Sequence, residues 1–370
     1  MNNKNIIANI KNNMFKNEKE MCINVVDFFC GCGGTSAGLK KAGMNIIAGI
    51  DIDSQAIQTY QYNFPEAKGI VADITKMQFD ELSDILKKNT KQNDLLLFAA
   101  CAPCQPFSRQ NRFKSSSDKR ISLLNEFHRF VKKFFPDYII LENVPGMQKV
   151  TEGPFTKFTK LLTDLNYQFR TDIKNAMDYG VPQSRKRLVL IASRHGIIEL
   201  PEETHGKDRI PYKTVGEAIK KYPPLQCGEK NLNIPNHQCA QLSPLLLRRI
   251  AALKEGGSRG DWGDELKLKC HNSHSGHTDV YGRLSWDKPS VTLTTRCVSL
   301  SNGRFGHPEQ NRALSVREAA AIQTFDDDFI FFGSLGETAK QVGNAVPVNF
   351  ALALGKQVIK HIKGIKNGQI

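Results

Sequence analysis

Two cysteines stand where an apolar run ends, in the segment LFAACAPCQPFSRQ (residues 97–110). Prolines on both sides of Cys104 predict a rigid loop, and basic residues at 109, 112 and 114 would favour its nucleophilic thiolate form. One alternative is a redox pair with Cys101, because C-x-x-C is the dithiol spacing. Against it, Pro106 and Ser108 do not continue as the helix that such motifs open. Half of a zinc site is the other alternative, although the sequence has no second C-x-x-C to complete it.

A carboxylic acid and two arginines follow at the ends of later apolar runs. LENVPG (141–146) places Glu142 where it could protonate or hold a substrate nitrogen beside a thiol nucleophile. DYGVPQSRKRL (178–188) alternates Gln183, Arg185 and Arg187 into a strand. Alternation predicts both arginines on one face, where they could hold a carboxylate, a phosphate or a carbonyl oxygen.

A glycine loop, DFFCGCGGTSAGL (27–39), follows the first apolar run and predicts close backbone approach to a ligand. The dinucleotide pattern is not met, because Ser36 stands where its third glycine belongs, and an NAD enzyme is therefore disfavoured. Asp51 and Asp73 end the next two predicted strands and could bind ribose hydroxyls and an adenine amino group. Either could instead cap the next helix. With the loop they indicate an adenosine compound without a pyrophosphate.

The elements that must position these residues alternate between strand and helix. Strands are predicted at 23–29, 45–50, 69–74, 94–100, 137–144 and 187–193, with helices between most of them. This order predicts an α/β fold with a doubly wound, Rossmann-like sheet. From residue 195 the sequence is rich in Pro, Gly, His and Asn, which indicates a smaller, irregular second domain. Helical patterns at 314–325 and 346–363 then predict a return to the first domain.

Composition limits the class of protein. The 370 residues hold 51 Lys and Arg against 37 Asp and Glu, a net charge of +14 that suggests nucleic acid as the first candidate partner. No apolar run reaches the roughly 20 residues of a membrane span, and no signal-peptide core precedes the first strand. Nine cysteines without an export signal predict free thiols in a reducing, cytoplasmic setting.

The ordered motifs FFCGCGG, APCQPFS, ENVPG and YGVPQSRKR resemble those of the DNA (cytosine-5)-methyltransferases. The similarity continues in SVREAAAIQTF and QVGNAVPV and covers roughly residues 24–193 and 310–363. It implies an S-adenosylmethionine-dependent methyltransferase of the bacterial restriction–modification type, acting on a cytosine flipped out of double-stranded DNA. The implied layout is a disordered tail (1–20), a catalytic and cofactor-binding domain (21–193), a target-recognition domain (194–312) and a returning C-terminal segment (313–370).

The resemblance also implies roles for individual residues. Cys104 would add to cytosine carbon 6 and Glu142 would bind ring nitrogen 3, with Arg185 and Arg187 near the base carbonyl and the catalytic loop. The cofactor positions implied are Phe29, Gly31, Gly33, Asp51, Ile52, Asp73, Ile74, Pro103, Leu123 and Asn344. The carbonyl of Pro103 would also help to read the cytosine amino group. The DNA contacts implied or expected are Gln105, Ser108, Arg120, Gln183, Arg283, Thr292 and Arg296.

Two positions depart from the family pattern. Cys101 stands where glycine is common, and Asp326 replaces the proline often found after IQTF. Both departures bear on local geometry more than on the chemistry.

The middle of the chain is the least determined by sequence. It has six scattered arginines (248, 249, 259, 283, 296 and 304), of which about half are expected to contact only phosphate or solvent. CHNSHSGH (270–277) keeps a zinc site open, with His237 and Cys239 as a second half, but no metal is the favoured prediction.

Two alternative functions differ in whether they retain the methyl-transfer reaction. A tRNA methyltransferase would use the same reaction, and an inactive DNA-binding protein would not need Cys104, Glu142, Arg185 and Arg187. The favoured prediction is a monomeric enzyme with no membrane partner. A cognate restriction endonuclease is expected as a functional rather than physical partner.

Overall fold

A computed structural model of the protein describes residues 22–103, 123–267 and 279–368. Within these ranges, seven strands form one sheet, with strands 1 to 7 in the spatial order 3-2-1-4-5-7-6. Parallel pairing joins β1 (Ile23–Phe28), β2 (Asn45–Asp51), β3 (Lys68–Val71), β4 (Leu95–Ala100) and β5 (Tyr138–Asn143). β7 (Lys186–Ser193) pairs antiparallel with β5 and with the edge strand β6 (Gln168–Asn175).

The six predicted strands are confirmed, and β6 was not predicted. β1, β4 and β5 are buried along nearly their whole length, so their sequences read as continuous apolar runs. β6 lies at the edge and is mostly exposed, so QFRTDIKN carries no run of apolar residues. β6 joins the sheet through its antiparallel pairing with β7. The sequence pattern contains no sign of that pairing.

Helices cover both faces of the sheet. They are α1 (Gly34–Lys41), α2 (Ser54–Asn63), α3 (Asp80–Asn89), α4 (Leu123–Phe134) and α5 (Pro154–Asp164). Phe28 of the sheet packs against Phe127 and Phe130 of α4, with ring centroids 5.1 and 5.3 Å apart, and Phe98 packs against Phe127 at 6.4 Å. Two extended apolar clusters result, one on each face, and they hold the strand ends in fixed positions.

The segment after β7 has little regular structure. It contains α6 (Val215–Ile219), α7 (Pro244–Ala251), short 3₁₀ turns and isolated bridges. A small separate core packs around Trp262, with Leu242, Ile250, Leu253, Leu266, Leu300 and Ala313.

Three C-terminal helices follow the irregular segment. They are α8 (Val316–Ile322), α9 (Leu335–Asn344) and α10 (Val348–Lys366), and α10 lies against α1. A Cβ atom at Gly38 would lie 2.5 Å from the Ala351 Cβ, so glycine is what allows these two helices to approach. Across the described ranges, no helix is long and apolar enough to cross a bilayer.

Candidate active site

The carboxyl ends of four parallel strands meet at one edge of the sheet. There the chain leaving β4 is fastened to β1 by a hydrogen bond from Cys101 N to the Phe28 carbonyl (3.3 Å). Asn143, at the end of β5, donates from Nδ2 to the Ala102 carbonyl at 3.0 Å. The residues immediately before Cys104 are therefore held against the ends of β1 and β5, where open α/β sheets bind ligands.

Glu142 is the central carboxylate of this edge, and its side chain is 6% exposed. Arg187 Nε lies 2.8 Å from Oε1, and the Cys101 thiol donates to Oε2 at 2.8 Å. The Arg187 contact is an ion pair without hydrogen-bond alignment, since Oε1 has no aligned donor. Strand register explains the pairing. Glu142 lies opposite Val189, so Arg187 is its diagonal neighbour on the same face.

Arg185 is buried and lies directly before β7, two residues ahead of Arg187. Its Nη groups donate to the carbonyls of Leu293 (2.9 Å) and Gly343 (3.2 Å). Thus Arg187 contacts the Glu142 carboxylate, whereas Arg185 contacts Leu293, in the segment after β7, and Gly343 of α9. The two arginines therefore contact different parts of the chain.

The cofactor side of the edge is formed by the glycine loop and the end of β2. Asp51 accepts from Gly31 N on Oδ2 (2.8 Å) and from Asp53 N on Oδ1 (2.9 Å). Its pKa is raised, chiefly by burial. Gly31 and Gly33 have φ of +52° and +99°, which side chains rarely adopt, and a Cβ at Gly33 would lie 2.4 Å from the Phe64 ring. The loop therefore depends on glycine for both conformation and space.

Next to Asp51, the structure offers an apolar surface and a second carboxylate. Ile52 is 68% exposed. Asp73 is brought close because Ala72 N donates to the Asp51 carbonyl (2.9 Å). Both bonds from Thr75 go to Asp73 Oδ1, and they lower the pKa of this carboxyl. Two carboxylates around an exposed aliphatic side chain fit an adenosine group, with the ribose hydroxyls at Asp51, the adenine amino group at Asp73 and the face of the base on Ile52.

The other predicted cofactor residues differ in what they can offer. Phe29 has a positive φ of 57° and packs partly on the core, as does Leu123. Asn344 is exposed at the end of α9, and Pro103 is half-buried. Ile74 is 5% exposed, so its side chain belongs to the core and only its backbone could meet a ligand.

A buried polar group lies below the glycine loop. Asp27, on β1, accepts a hydrogen bond from Ser36 Oγ (2.7 Å), which also lies 3.1 Å from the Tyr60 hydroxyl. Burial raises the pKa of Asp27 to about 7. The pattern of apolar runs gave no indication of a carboxyl group inside the sheet.

Two of the expected DNA contacts are buried, and the prediction is corrected for both. Gln183 donates to Gln323 Oε1 (2.7 Å) and accepts from Leu293 N (2.8 Å). Arg283, 2% exposed, donates to Asn311 Oδ1 and to four backbone carbonyls, those of Ile250, Leu253, His307 and Gln310. Both side chains hold the protein's own backbone and present no surface to DNA.

The remaining expected contacts have different positions. The Thr292 hydroxyl donates a hydrogen bond to the Ser184 carbonyl (2.7 Å), whereas the Arg296 side chain is exposed. Cys104, Gln105, Ser108 and Arg120 lie outside the described residues, as do the tail (1–20) and the histidines of 270–277. In the ranges that the structure covers, no three His, Cys, Asp or Glu side chains are grouped as metal ligands.

Sequence reasoning missed the contact between Cys101 and Glu142. The signal was the departure from glycine at position 101, which predicted a change of local shape but not a thiol on the active-site acid.

Comparison with known proteins agrees with this geometry. The family model for C-5 cytosine-specific DNA methylase matches residues 23–360. The type II methylase M.HgiDII of Herpetosiphon aurantiacus is 37% identical over 352 residues, which are 93% of this chain and 97% of that protein. The type II methyltransferase M1.HphI of Haemophilus parahaemolyticus is 36% identical and covers 92% of this chain and 87% of its own. A crystal structure of a prophage-encoded Escherichia coli protein has the same fold, with a TM-score of 0.72, 23% identity and coverage of 92% and 99%.

Proposed function

Because this chain belongs to the C-5 cytosine-specific DNA methylase family and is a DNA (cytosine-5)-methyltransferase, we propose that it methylates one cytosine within a short sequence of double-stranded DNA. S-adenosylmethionine is the proposed methyl donor. The relatives named above are type II enzymes, and the modification would accordingly protect DNA from a cognate restriction endonuclease. We propose a monomer that acts in the cytoplasm.

One observation carries the proposal. A nearly buried Glu142 is held by Arg187 at the carboxyl edge of the sheet, next to the tethered backbone that leads into Cys104. A carboxyl group beside the backbone that leads into a cysteine fits a reaction in which a ring nitrogen is protonated while a thiolate attacks the adjacent carbon.

The proposed chemistry overcomes the weak nucleophilicity of cytosine carbon 5. The Cys104 thiolate adds to carbon 6 while Glu142 gives a proton to ring nitrogen 3, which converts the ring into an enamine. Carbon 5 then takes the methyl group, loses its proton to a base, and the carbon 6–sulfur bond breaks to release Cys104. Arg187 would hold Glu142 in place during these steps.

The cofactor would bind at the Asp51 edge. Bound there, S-adenosylmethionine supplies an electrophilic methyl group. The two carboxylates, Asp51 and Asp73, would bind the nucleoside, and exposed Ile52 would lie against its base. The backbone of Gly31 would approach the cofactor, since a glycine there removes the side chain that would stand in its way.

Access to the base requires the duplex to open. Carbon 6 is out of reach inside stacked DNA, so the cytosine must flip into the site. The charge of +14 suits binding to the phosphate backbone. We propose that residues 194–312 read the flanking bases, with Arg296 as a candidate contact.

The test is transfer of labelled methyl from S-adenosylmethionine to unmethylated genomic DNA, with total RNA in parallel. We expect 5-methylcytosine at a single short motif, and no label with Cys104→Ala. Label in RNA alone would assign the enzyme to the tRNA-modifying branch. A folded, cofactor-binding protein that labels neither nucleic acid would contradict the proposal.

A further inference from the structure

We propose that Cys101 is a positioning residue for the reaction, and that its thiol holds the Glu142 carboxylate in the orientation that meets the base. This inference rests on the proposed role of Glu142. The thiol donates to Oε2 at 2.8 Å while Arg187 lies against Oε1 on the opposite side. Two contacts on two oxygens fix the rotation of the carboxylate, which neither contact alone would do.

The backbone on both sides of this thiol is fixed. Cys101 N donates to the end of β1 (Phe28 carbonyl, 3.3 Å), and the Ala102 carbonyl accepts from Asn143 Nδ2 (3.0 Å). Asn143 directly follows Glu142 in β5. The thiol and the carboxylate are thus attached to one another through the backbone as well as through their side chains, so little freedom is lost when they bond.

The surroundings of Glu142 offer few other partners. Behind it lies a cavity of about 10 Å³ whose lining is mostly apolar: Thr35, Leu39, Ala100, Ile140, Val346, Ala351 and Leu354. Apart from the Thr35 hydroxyl, this lining offers Glu142 no side-chain donor. Among the described residues, Cys101 is the donor to Oε2.

The chemistry of the two partners differs. The guanidinium of Arg187 is always charged, whereas a thiol is a weak, neutral donor. When Glu142 carries the proton that it gives to the base nitrogen, Oε2 can exchange the thiol for the base at a small cost, while the arginine stays on Oε1. Cys101 would keep Oε2 oriented before the base arrives and yield to it afterwards.

The experiment combines the cysteine and glutamate variants in a double-mutant cycle. Single-turnover methyl transfer is measured across the pH range for the wild type, Cys101→Ala, Cys101→Ser, Glu142→Gln and Cys101→Ala with Glu142→Gln. Cys22→Ala serves as the control, because Cys22 is an exposed thiol preceding the amino end of β1, opposite the site. Thermal unfolding of every variant reports whether the fold is intact.

We expect Cys101→Ala to slow methyl transfer about three- to tenfold, since one weak hydrogen bond to an oriented acid is lost. A donated hydrogen bond stabilises a carboxylate. Its loss should therefore extend activity to higher pH, where Glu142 must still give up a proton. Cys101→Ser keeps a donor and should restore most of the rate. In the Glu142→Gln protein, Cys101→Ala should cost little more.

Three results would overturn the inference. Cys101→Ala could match the wild type in rate and pH profile, or its loss could be the same in the Glu142→Gln background. Equal loss in the alanine and serine variants without a pH change would make the residue merely structural. A failure of the proposed function looks different, because the wild type would then transfer no methyl to DNA, or Glu142→Gln would be as fast as the wild type.

Discussion

The carboxyl edge of the sheet and the middle segment (195–312) use charged residues in opposite ways. At the edge, Glu142, Asp51 and Asp73 lie at strand ends and face the space where ligands would bind. In the middle segment, Arg249 and Arg283 are buried and donate to backbone carbonyls. Charged side chains thus line the proposed site in one region and support the fold in the other.

Backbone hydrogen bonding explains the difference. The strands of the sheet satisfy one another's carbonyls, so their terminal side chains are available for chemistry. The described part of the middle segment has no such ladder of paired strands, and its buried carbonyls need other donors. Arg283 supplies donors to four of them from one planar group. In irregular backbone, a buried arginine therefore satisfies carbonyl groups that a neighbouring strand would satisfy in a sheet.

Glu142→Gln is the strongest test of the edge. We expect the rate of methyl transfer to fall about 100- to 10,000-fold, because a general acid is lost while the shape of the side chain is kept. Single-turnover assays with S-adenosylmethionine and DNA would measure it. Glu199→Gln, an exposed glutamate paired with Arg170, is the matched control and should leave the rate unchanged. If Glu142→Gln and Glu199→Gln were equally fast, Glu142 would have no part in the reaction.

Arg283→Ala tests the opposite assignment in the middle segment. Four carbonyls would lose a donor inside a small core, and we expect the free energy of unfolding to fall by about 3–5 kcal/mol. Denaturant titration measures the loss. Arg248→Ala, an exposed arginine on α7, should change stability by less than about 0.5 kcal/mol. A stable Arg283→Ala protein with weakened DNA binding would restore the original prediction for this residue.

Buried Asp27, below the glycine loop, should make the stability of the folded state depend on pH. Its pKa of about 7 is above the usual 3.8, so the folded state holds this proton more tightly than the unfolded state does. The stabilisation is complete below about pH 4 and is lost as the pH rises to about 7. Asp27→Asn removes this loss. Relative to the wild type, its stability should rise by about 2–3 kcal/mol between pH 5 and 8.

The measurement is denaturant unfolding at the two pH values. Asp84→Asn, an exposed carboxyl on α3, is the control and should show no pH-dependent difference from the wild type. Parallel curves for Asp27→Asn and the wild type would mean that Asp27 keeps its charge inside the sheet.

Much of the fold could be predicted from the sequence because central parallel strands are buried on both sides. β1, β4 and β5 appear as apolar runs, and α10 appears as a 3.6-residue pattern. β6 could not be found this way, since an edge strand with exposed side chains has no such signal. The middle segment has neither period, so only its irregularity was predictable.

The site was predictable where position follows from strand ends. Glu142, Asp51 and Arg187 lie at the edge that their strands define, so their positions could be inferred, while their roles stay predictions. Gln183 and Arg283 were wrong as DNA contacts because polarity was taken for exposure, while both satisfy buried backbone groups. The Cys101 contact depends on a distance across two strands, which spacing along the chain does not give.

Arg296 is the exposed exception in the middle segment and provides the smallest and most discriminating test. If Arg296 contacts a phosphate, Arg296→Ala should lose the same affinity for every DNA sequence. The slope of log K against log salt should then fall by about 1. A base contact would cost about 1–3 kcal/mol on the methylated motif and little on other sequences. DNA titrations at several salt concentrations separate the two. Lys87→Ala, exposed on α3 away from the carboxyl edge, is the control. If Arg296→Ala binds both DNAs like the wild type, then recognition must come from other residues of the segment.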